Sequence, residues 1–142
     1  MRQIAVRPLS FQAWVASVPE EIKDDALWTA RFYQKALFLY ELCWLDCKPW
    51  YEDIRGRVVA AQIIRSSGPI SANIEEGYGR GFRRDYARFL TIAAASARET
   101  KGWYFRARYL SNQPTVKHRI RLCNEIIGML VPIIKQQRAI KK

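Results

Sequence analysis

Apolar residues along this chain recur at alternating steps of three and four, which is the spacing of one face of an α-helix. The pattern predicts four long helices, over about residues 26–48, 52–78 and 82–110 and from about residue 114 into the basic C-terminal tail. Proline, glycine and asparagine occupy the intervals between them. No stretch alternates apolar and polar residues as a strand does. The chain is therefore predicted to be all-α, an up-down-up-down four-helix bundle with short turns.

The first predicted helix is apolar on two sides, so it must pack against more than one neighbour. Its stripes consist of Ala26, Ala30, Tyr33, Leu37, Tyr40, Trp44 and Cys47, and of Phe32, Ala36, Leu39 and Cys43. In the second helix, the positions expected to face inward include Ile54, Val58, Ala61, Ile64, Gly68, Ser71 and Ile74. Pro69 lies inside that helix and removes one backbone hydrogen bond, which predicts a kink or a local unwinding.

Two regions differ in their expected role. Residues 1–22 are predicted to be an N-terminal extension, and residues 23–142 the four-helix bundle domain. Ser10 is expected to cap a short helix within the extension. A chain of 142 residues can bury a core without a disulfide or a metal to hold it together.

Charge separates the two halves of the chain. Residues 1–71 hold nine Lys/Arg and eight Asp/Glu, whereas residues 72–142 hold fifteen and five, so the net charges are +1 and +10. Such asymmetry favours a surface that binds polyanions, above all RNA or single-stranded nucleic acid, although a charge that only aids solubility is the alternative. The candidate nucleic-acid-binding residues are Arg80, Arg83, Arg84, Arg88, Lys101, Arg106, Arg108, Lys117, Arg119 and Arg121.

Aromatic and glycine residues accompany these cations. The segment from Trp103 to Tyr109 interleaves aromatic rings with arginine, a combination on which unpaired bases stack, but such rings also serve as core or subunit contacts. Gly77, Gly79 and Gly81 precede the third helix. They follow a helix rather than a strand and lack the Gly-Lys-Ser/Thr of a phosphate loop, so a turn is favoured over nucleotide binding.

Catalytic and metal chemistry find little support. The sequence offers no serine or cysteine that can be paired with the single histidine, His118, as a nucleophile. Cys43 and Cys47 alone do not complete a zinc site. No glutamate has a histidine three residues later, as a di-iron bundle requires. We expect a protein that is not an enzyme and needs no cofactor or metal. The N-terminus lacks the pattern of a signal peptide and no stretch is long enough to span a membrane, so we expect a cytoplasmic protein.

The segment from Arg65 to Gly79 is unusually polar for a helix. Ser66, Ser67, Ser71, Asn73 and Glu76 lie near Pro69, and the expected role of these groups is a hydrogen-bond network that sets the helix register and the following turn. A catalytic role would need a base within reach of a serine.

A family resemblance rests on this polar segment and on the two basic stretches after it. The motifs are Arg65, the run Ala72-Asn-Ile-Glu-Glu-Gly-Tyr78, the basic turn through Arg84, Arg88-Phe-Leu90 and Ala95-Ser-Ala-Arg-Glu99. Over about residues 25–138 the chain resembles the four-helix-bundle family of the 23S rRNA intervening-sequence protein and the accessory variability determinant of diversity-generating retroelements. Pro69 stands two residues earlier than the family's proline, and Ala95 replaces a common glycine.

The resemblance implies a homopentameric ring of bundles without enzymatic activity. In retroelements such a protein binds the reverse transcriptase and its template RNA and supports mutagenic cDNA synthesis. The alternatives are an rRNA intervening-sequence-encoded bundle of unknown role and a scaffold that docks an acidic protein. The residues expected to be structural are Arg65, Pro69, Asn73, Glu76, Gly77 and Glu99.

Overall fold

A computed structural model describes residues 9–140, and every regular element in that range is helical. The α-helices are α1 (Phe11–Ser17), α2 (Glu20–Lys23), α3 (Arg31–Cys47), α4 (Ile54–Arg80), α5 (Arg84–Arg106) and α6 (Gln113–Ala139). Single 3₁₀ turns at Ala26–Thr29 and Lys48–Glu52 precede and follow α3. The predicted all-α fold is confirmed.

The four long helices form an antiparallel bundle in which consecutive helices are neighbours and α3 also packs against α6. Side-chain contacts show the direction of each pair. Thr100, in the second half of α5, donates a hydrogen bond to Ser66 near the middle of α4, whereas Phe89, in the first half of α5, lies against Gly77 near the end of α4. Lys101 of α5 reaches Asn124 of α6, whereas Arg138, near the far end of α6, reaches Thr91. The chain therefore runs up, down, up and down, as predicted.

Local capping groups explain where the helices begin. The carboxylate of Asp53 accepts hydrogen bonds from the first backbone amides of α4, and the side chain of Asn112 does the same for α6. Ser10 caps α1 as expected. The first long helix begins at residue 31 rather than 26, because Asp25 caps a separate 3₁₀ turn and Ala30 is extended.

The inward face of α4 differs from the predicted one. Ile54 and Val58 are 71% and 61% exposed and Ala61 is also exposed, whereas neighbouring positions such as Ala60 and Ile63 are fully buried. The expectation that Ile54, Val58 and Ala61 face the core is wrong, whereas Ser71 and Ile74 of the same predicted stripe are buried. α4 also continues as one helix through Pro69, where the side-chain amide Nδ2 of Asn73 donates to the carbonyl oxygen of Pro69 at 2.7 Å.

The part of the N-terminal extension that the structure describes packs on the bundle. Trp14 is buried, its ring centroid lies 5.5 Å from that of Phe38 in α3, and its indole N–H donates to the carboxylate of Glu41. The remainder of the predicted extension, residues 1–8, lies outside the described residues, as do Lys141 and Lys142. Among the helices of residues 9–140, none combines the length and the apolar character that a membrane crossing needs.

Candidate nucleic-acid interface

One exposed face of α5 carries arginine along its whole length. Arg84, Arg88, Arg98 and Arg106 are all exposed, and at 100° per residue they fall within an arc of about 80°. The row extends for about 33 Å at 1.5 Å per residue. That length would accompany several successive phosphates of a single strand.

A second basic row lies on α6 beside the first. Lys117, Arg121, Lys135 and Arg138 are exposed and fall within an arc of about 100°. Asn124 lies on the same side of the helix and accepts a hydrogen bond from Lys101 of α5 at 3.0 Å. α5 and α6 are neighbours, and Arg138 of α6 contacts Thr91 of α5 at one end. The two rows therefore lie side by side on the exposed surface of these helices, and we call this surface the basic face.

The turn between α4 and α5 is held in an unusual backbone conformation. Arg83 has φ 80° and ψ −138°, a region in which a residue with a side chain is strained by about 1–3 kcal/mol. Its backbone N–H donates to Oε1 of Gln137 in α6 at 2.8 Å, so the end of α6 secures the turn. The side chains of Arg83 and Arg84 are exposed at one end of the basic face.

Several of the predicted cations contact an acidic or aromatic side chain but remain exposed to solvent. Arg80 pairs with Glu76, and Arg88 pairs with Asp85 at 3.0 Å, both through exposed side chains. Arg106 lies over the ring of Trp103 at 4.8 Å. Exposed pairs of this kind contribute little and exchange readily with another anion.

Arg108 is stacked between two exposed rings. Its guanidinium lies 4.3 Å from the ring centroid of Phe105 and 4.5 Å from that of Tyr109, which is 85% exposed. Of the aromatic segment, Tyr104 is buried and Trp103 is half-buried, so these two rings serve as core contacts. The exposed rings are available to stack on unpaired bases.

Arg119 does not join the basic face. Its guanidinium binds the carboxylate of Asp46 in α3 through two contacts, Nε to Oδ2 at 2.7 Å and Nη2 to Oδ1 at 2.9 Å. The side chains are only 14% and 11% exposed. Tyr104 donates to the same carboxylate at 2.8 Å, so Arg119 belongs to a polar cluster inside the bundle and its prediction as a nucleic-acid contact is wrong.

Three cations of the basic face were not among the candidates. Arg98, Lys135 and Arg138 complete the rows on α5 and α6. Lys135 stands eighteen residues, or five whole turns, after Lys117, so the helical period alone would have found it, whereas Arg138 lies about 60° to one side of that line. The sequence also explains cations near the C-terminus of α6 without a ligand, because the negative end of the helix dipole favours positive side chains in a last turn.

The residues predicted to be structural make contacts between or within helices. Arg65 of α4 binds the carboxylate of Glu99 in α5, which also accepts from the indole N–H of Trp103 at 2.9 Å. Gly77 is buried against Phe89, and within residues 9–140 Glu76 pairs only with the exposed Arg80. Near Pro69, Ser66 accepts a hydrogen bond from Thr100, and the side chain of Asn73 donates to the carbonyl oxygen of Pro69. Within residues 9–140 the polar groups expected to form a network therefore have separate partners.

The histidine and the cysteines have surroundings that suit structure rather than catalysis. Nδ1 of His118 faces Arg119 at 2.7 Å, and burial together with that charge lowers the pKa of the imidazole. Burial raises the pKa of the Cys43 and Cys47 thiols to about 12, which keeps them protonated and poorly nucleophilic. Within residues 9–140, no three His, Cys, Asp or Glu side chains are grouped as a metal ion requires.

Comparison with known proteins places this bundle in a family. The model of the 23S rRNA-intervening sequence protein matches residues 29–132, which include α3, α4, α5 and most of α6. The chain belongs to the 23S rRNA-intervening sequence protein family. That part of the resemblance is confirmed, and the link to the accessory variability determinant stays a prediction.

A solved structure supports membership of the 23S rRNA-intervening sequence protein family. A protein of unknown function from the S23 ribosomal protein family of Bacteroides thetaiotaomicron VPI-5482 is similar in fold, with a TM-score of 0.66 and 28% sequence identity. The match covers 73% of this chain and 98% of that one. No curated protein matches the chain.

Proposed function

We propose that this family member is a non-catalytic protein that binds RNA or single-stranded nucleic acid along the basic face. The observation that carries the proposal is the pair of exposed cationic rows that lie side by side on α5 and α6. Between residues 84 and 140 the chain has eleven Lys/Arg, of which Arg119 is paired with Asp46 inside the bundle, against three Asp/Glu. A surface with that excess attracts the phosphate backbone without any catalytic group.

The free state of these cations supports the proposal. Within residues 9–140, Arg84, Arg98, Arg121 and Lys135 have no carboxylate within 4.0 Å. Binding a phosphate at these positions therefore requires no ion pair to be broken. The exposed rings of Phe105 and Tyr109 at one end add a means of stacking on unpaired bases.

Removing three free cations from the basic face should weaken nucleic-acid binding. We expect the variant Arg98→Ala/Arg121→Ala/Lys135→Ala to bind dodecauridylate about tenfold or more weakly. The dependence of log K on log salt should fall by about 2, since each single-strand phosphate contact contributes about 0.7. Fluorescence anisotropy at about 50 and 200 mM salt measures both quantities.

The matched control removes the same charge elsewhere. Arg31, Lys48 and Arg57 are exposed on α3, the following turn and α4, away from the basic face. The variant with alanine at these three positions should keep both the affinity and the salt dependence. Equal losses of affinity in the two variants would show that binding depends only on net charge. If polyglutamate displaced dodecauridylate as strongly as RNA does, the result would favour a scaffold that docks an acidic protein.

We further propose that copies of the chain associate through a second surface, the apolar face. It contains the exposed side chains of Trp44, Leu45, Tyr51, Ile54 and Val58, from the end of α3 and the start of α4. Beside them lies a groove of about 750 Å³. Exposed apolar surface of this extent usually marks an interface.

The occupant proposed for the apolar face is another copy of this chain. Residues 1–71, which include this face, carry a net charge of only +1, whereas residues 72–142 carry +10. Two copies can therefore meet through the nearly neutral region while their basic faces stay apart. This argument agrees with the ring of five that the resemblance implies.

One acidic substitution should disrupt that association. We expect Val58→Glu to reduce the mass in solution toward the 16.6 kDa of one chain, because a carboxylate would be buried in the contact. Ile92→Glu, at another exposed aliphatic position on α5, should leave the mass unchanged. Light scattering measures both, and a wild-type protein that is already monomeric would exclude the assembly.

The reverse transcriptase remains the protein partner that the resemblance implies. In this proposal the basic face would hold the template RNA while the polymerase copies it. The arrangement requires no chemistry from the bundle itself, which agrees with the protonated state that burial imposes on its cysteine thiols.

A further inference from the structure

A small groove at one end of the basic face brings together three arginines from two helices. It has a volume of about 500 Å³ and is lined by Arg84, Arg88, Thr91, Ile92 and Arg138. Arg138 comes from the last turn of α6 and the others from the first turns of α5. The groove therefore depends on how the bundle is folded and not on one segment.

Hydrogen bonds hold one arginine of the groove in place. Nη2 of Arg138 donates to Oγ1 of Thr91 at 3.2 Å, and that hydroxyl donates in turn to the carbonyl oxygen of Ala87 at 2.7 Å. The remaining N–H groups of the Arg138 guanidinium have no acceptor within the described residues. The contact with Thr91 fixes the side chain while most of its donors stay free.

The other two arginines complete a cationic site. Arg88 makes one contact with Asp85 and lies over the ring of Phe89 at 4.5 Å, which limits its rotation. Arg84 has no acidic partner within residues 9–140. Ile92, which is partly exposed, adds an apolar wall next to the three guanidinium groups.

We infer that this groove is a specific binding site for a phosphate group of the nucleic acid, and so the inference rests on the proposed function. A guanidinium is planar and can donate two parallel hydrogen bonds to phosphate oxygens, which an ammonium cannot do. Three such groups around one small groove suit a phosphate and its tetrahedral oxygens. The apolar wall at Ile92 suits the adjacent sugar.

A nucleic acid fits this groove better than an acidic peptide. The basic face continues from the groove along α5 and α6, so one bound phosphate would be followed by others of the same chain. A peptide carboxylate would satisfy one guanidinium, but it would not provide the regular backbone charge that matches the cationic rows.

The test retains the charge and removes the guanidinium geometry. In the variant Arg84→Lys/Arg138→Lys, we expect the affinity for dodecauridylate to fall about fivefold or more, although net charge is unchanged. In the control Arg98→Lys/Arg121→Lys, the change should stay below about twofold, because those positions contribute mainly charge. Circular dichroism of both variants checks the fold, which these exposed side chains do not support.

Two forms of the oligonucleotide separate the possible sources of the phosphate. In one outcome, the wild-type protein binds 5′-hydroxyl and 5′-phosphorylated dodecauridylate with equal affinity, while the lysine variant binds both more weakly. That result assigns the groove to an internal phosphodiester. A preference for the 5′-phosphorylated form that disappears in the variant assigns it to a chain end. Either result supports a phosphate site.

Other results would overturn the inference and leave the proposed function testable on its own. Wild-type affinity in the Arg84→Lys/Arg138→Lys variant would show that the groove acts only through its charge, while the alanine variant of the basic face could still lose binding. If the lysine variant lost as much affinity for polyglutamate as for RNA, relative to the wild-type protein, the groove would be a carboxylate site. A wild-type protein that binds no nucleic acid would remove both proposals.

Discussion

Replacing Arg119 by methionine is expected to lower the free energy of unfolding by about 3–5 kcal/mol. Methionine preserves much of the length of the side chain but leaves the Asp46 carboxylate, which is 11% exposed, without its cation. Breaking one side of a buried pair costs more than the pair contributes, because the remaining charge has lost its solvent. Urea unfolding followed by circular dichroism measures the change.

Two further variants test that explanation. Arg121→Met changes an exposed arginine two residues away on the same helix and should alter stability by less than about 0.5 kcal/mol. Adding Asp46→Asn to Arg119→Met should recover at least about 1 kcal/mol, because an amide costs less to bury and can still accept from Tyr104. An Arg119→Met protein as stable as the wild type would show that the Asp46 carboxylate reaches water.

Gly77→Ala is expected to destabilise the protein by about 1–3 kcal/mol. A Cβ atom at this buried position would lie 2.6 Å from Cβ of Phe89 and 3.2 Å from Cδ2 of Tyr86. Both of these residues belong to α5, so α4 and α5 would have to move apart. Since alanine is otherwise the better helix former, the loss would be due to the contact and not to the backbone.

Gly79→Ala provides the control two residues further along α4. A Cβ atom there meets no other atom within 4 Å, so alanine should leave stability unchanged or raise it by up to about 1 kcal/mol. Thermal unfolding of both variants gives the comparison. Opposite signs support close packing of α4 on α5 at Gly77, and equal stability of the two variants would exclude it.

Much of the fold follows from local sequence. Asp53, Asn112 and Pro114 lie where α4 and α6 begin, and the glycines near residue 80 lie where α4 ends, so these helix ends were predictable within a few residues. Which face of α4 is buried was not predictable in the same way. Ile54 and Val58 form an apolar stripe, and periodicity does not distinguish a stripe that packs inside one chain from one that remains on its surface.

The candidate site shows the same limit for charge. Arg119 and Arg121 occur in one basic segment and look alike in the sequence, but only Arg119 meets an acid, Asp46, which is 73 residues earlier in the chain. Arg138 is the converse case, since its place beside Thr91 depends on the antiparallel pairing of α5 and α6. Contacts between distant segments decide whether a cation is available, and no local pattern reports them.

Gathering the cations on α5 and α6 also gives each molecule a large electric dipole moment. A protein with this dipole would rotate during diffusion so that its positive side leads toward a polyanion, before any atoms touch. The rate of encounter would then exceed that of a protein with the same net charge spread evenly. Orientation at a distance is thus a kinetic property that this bundle has through the placement of its charge.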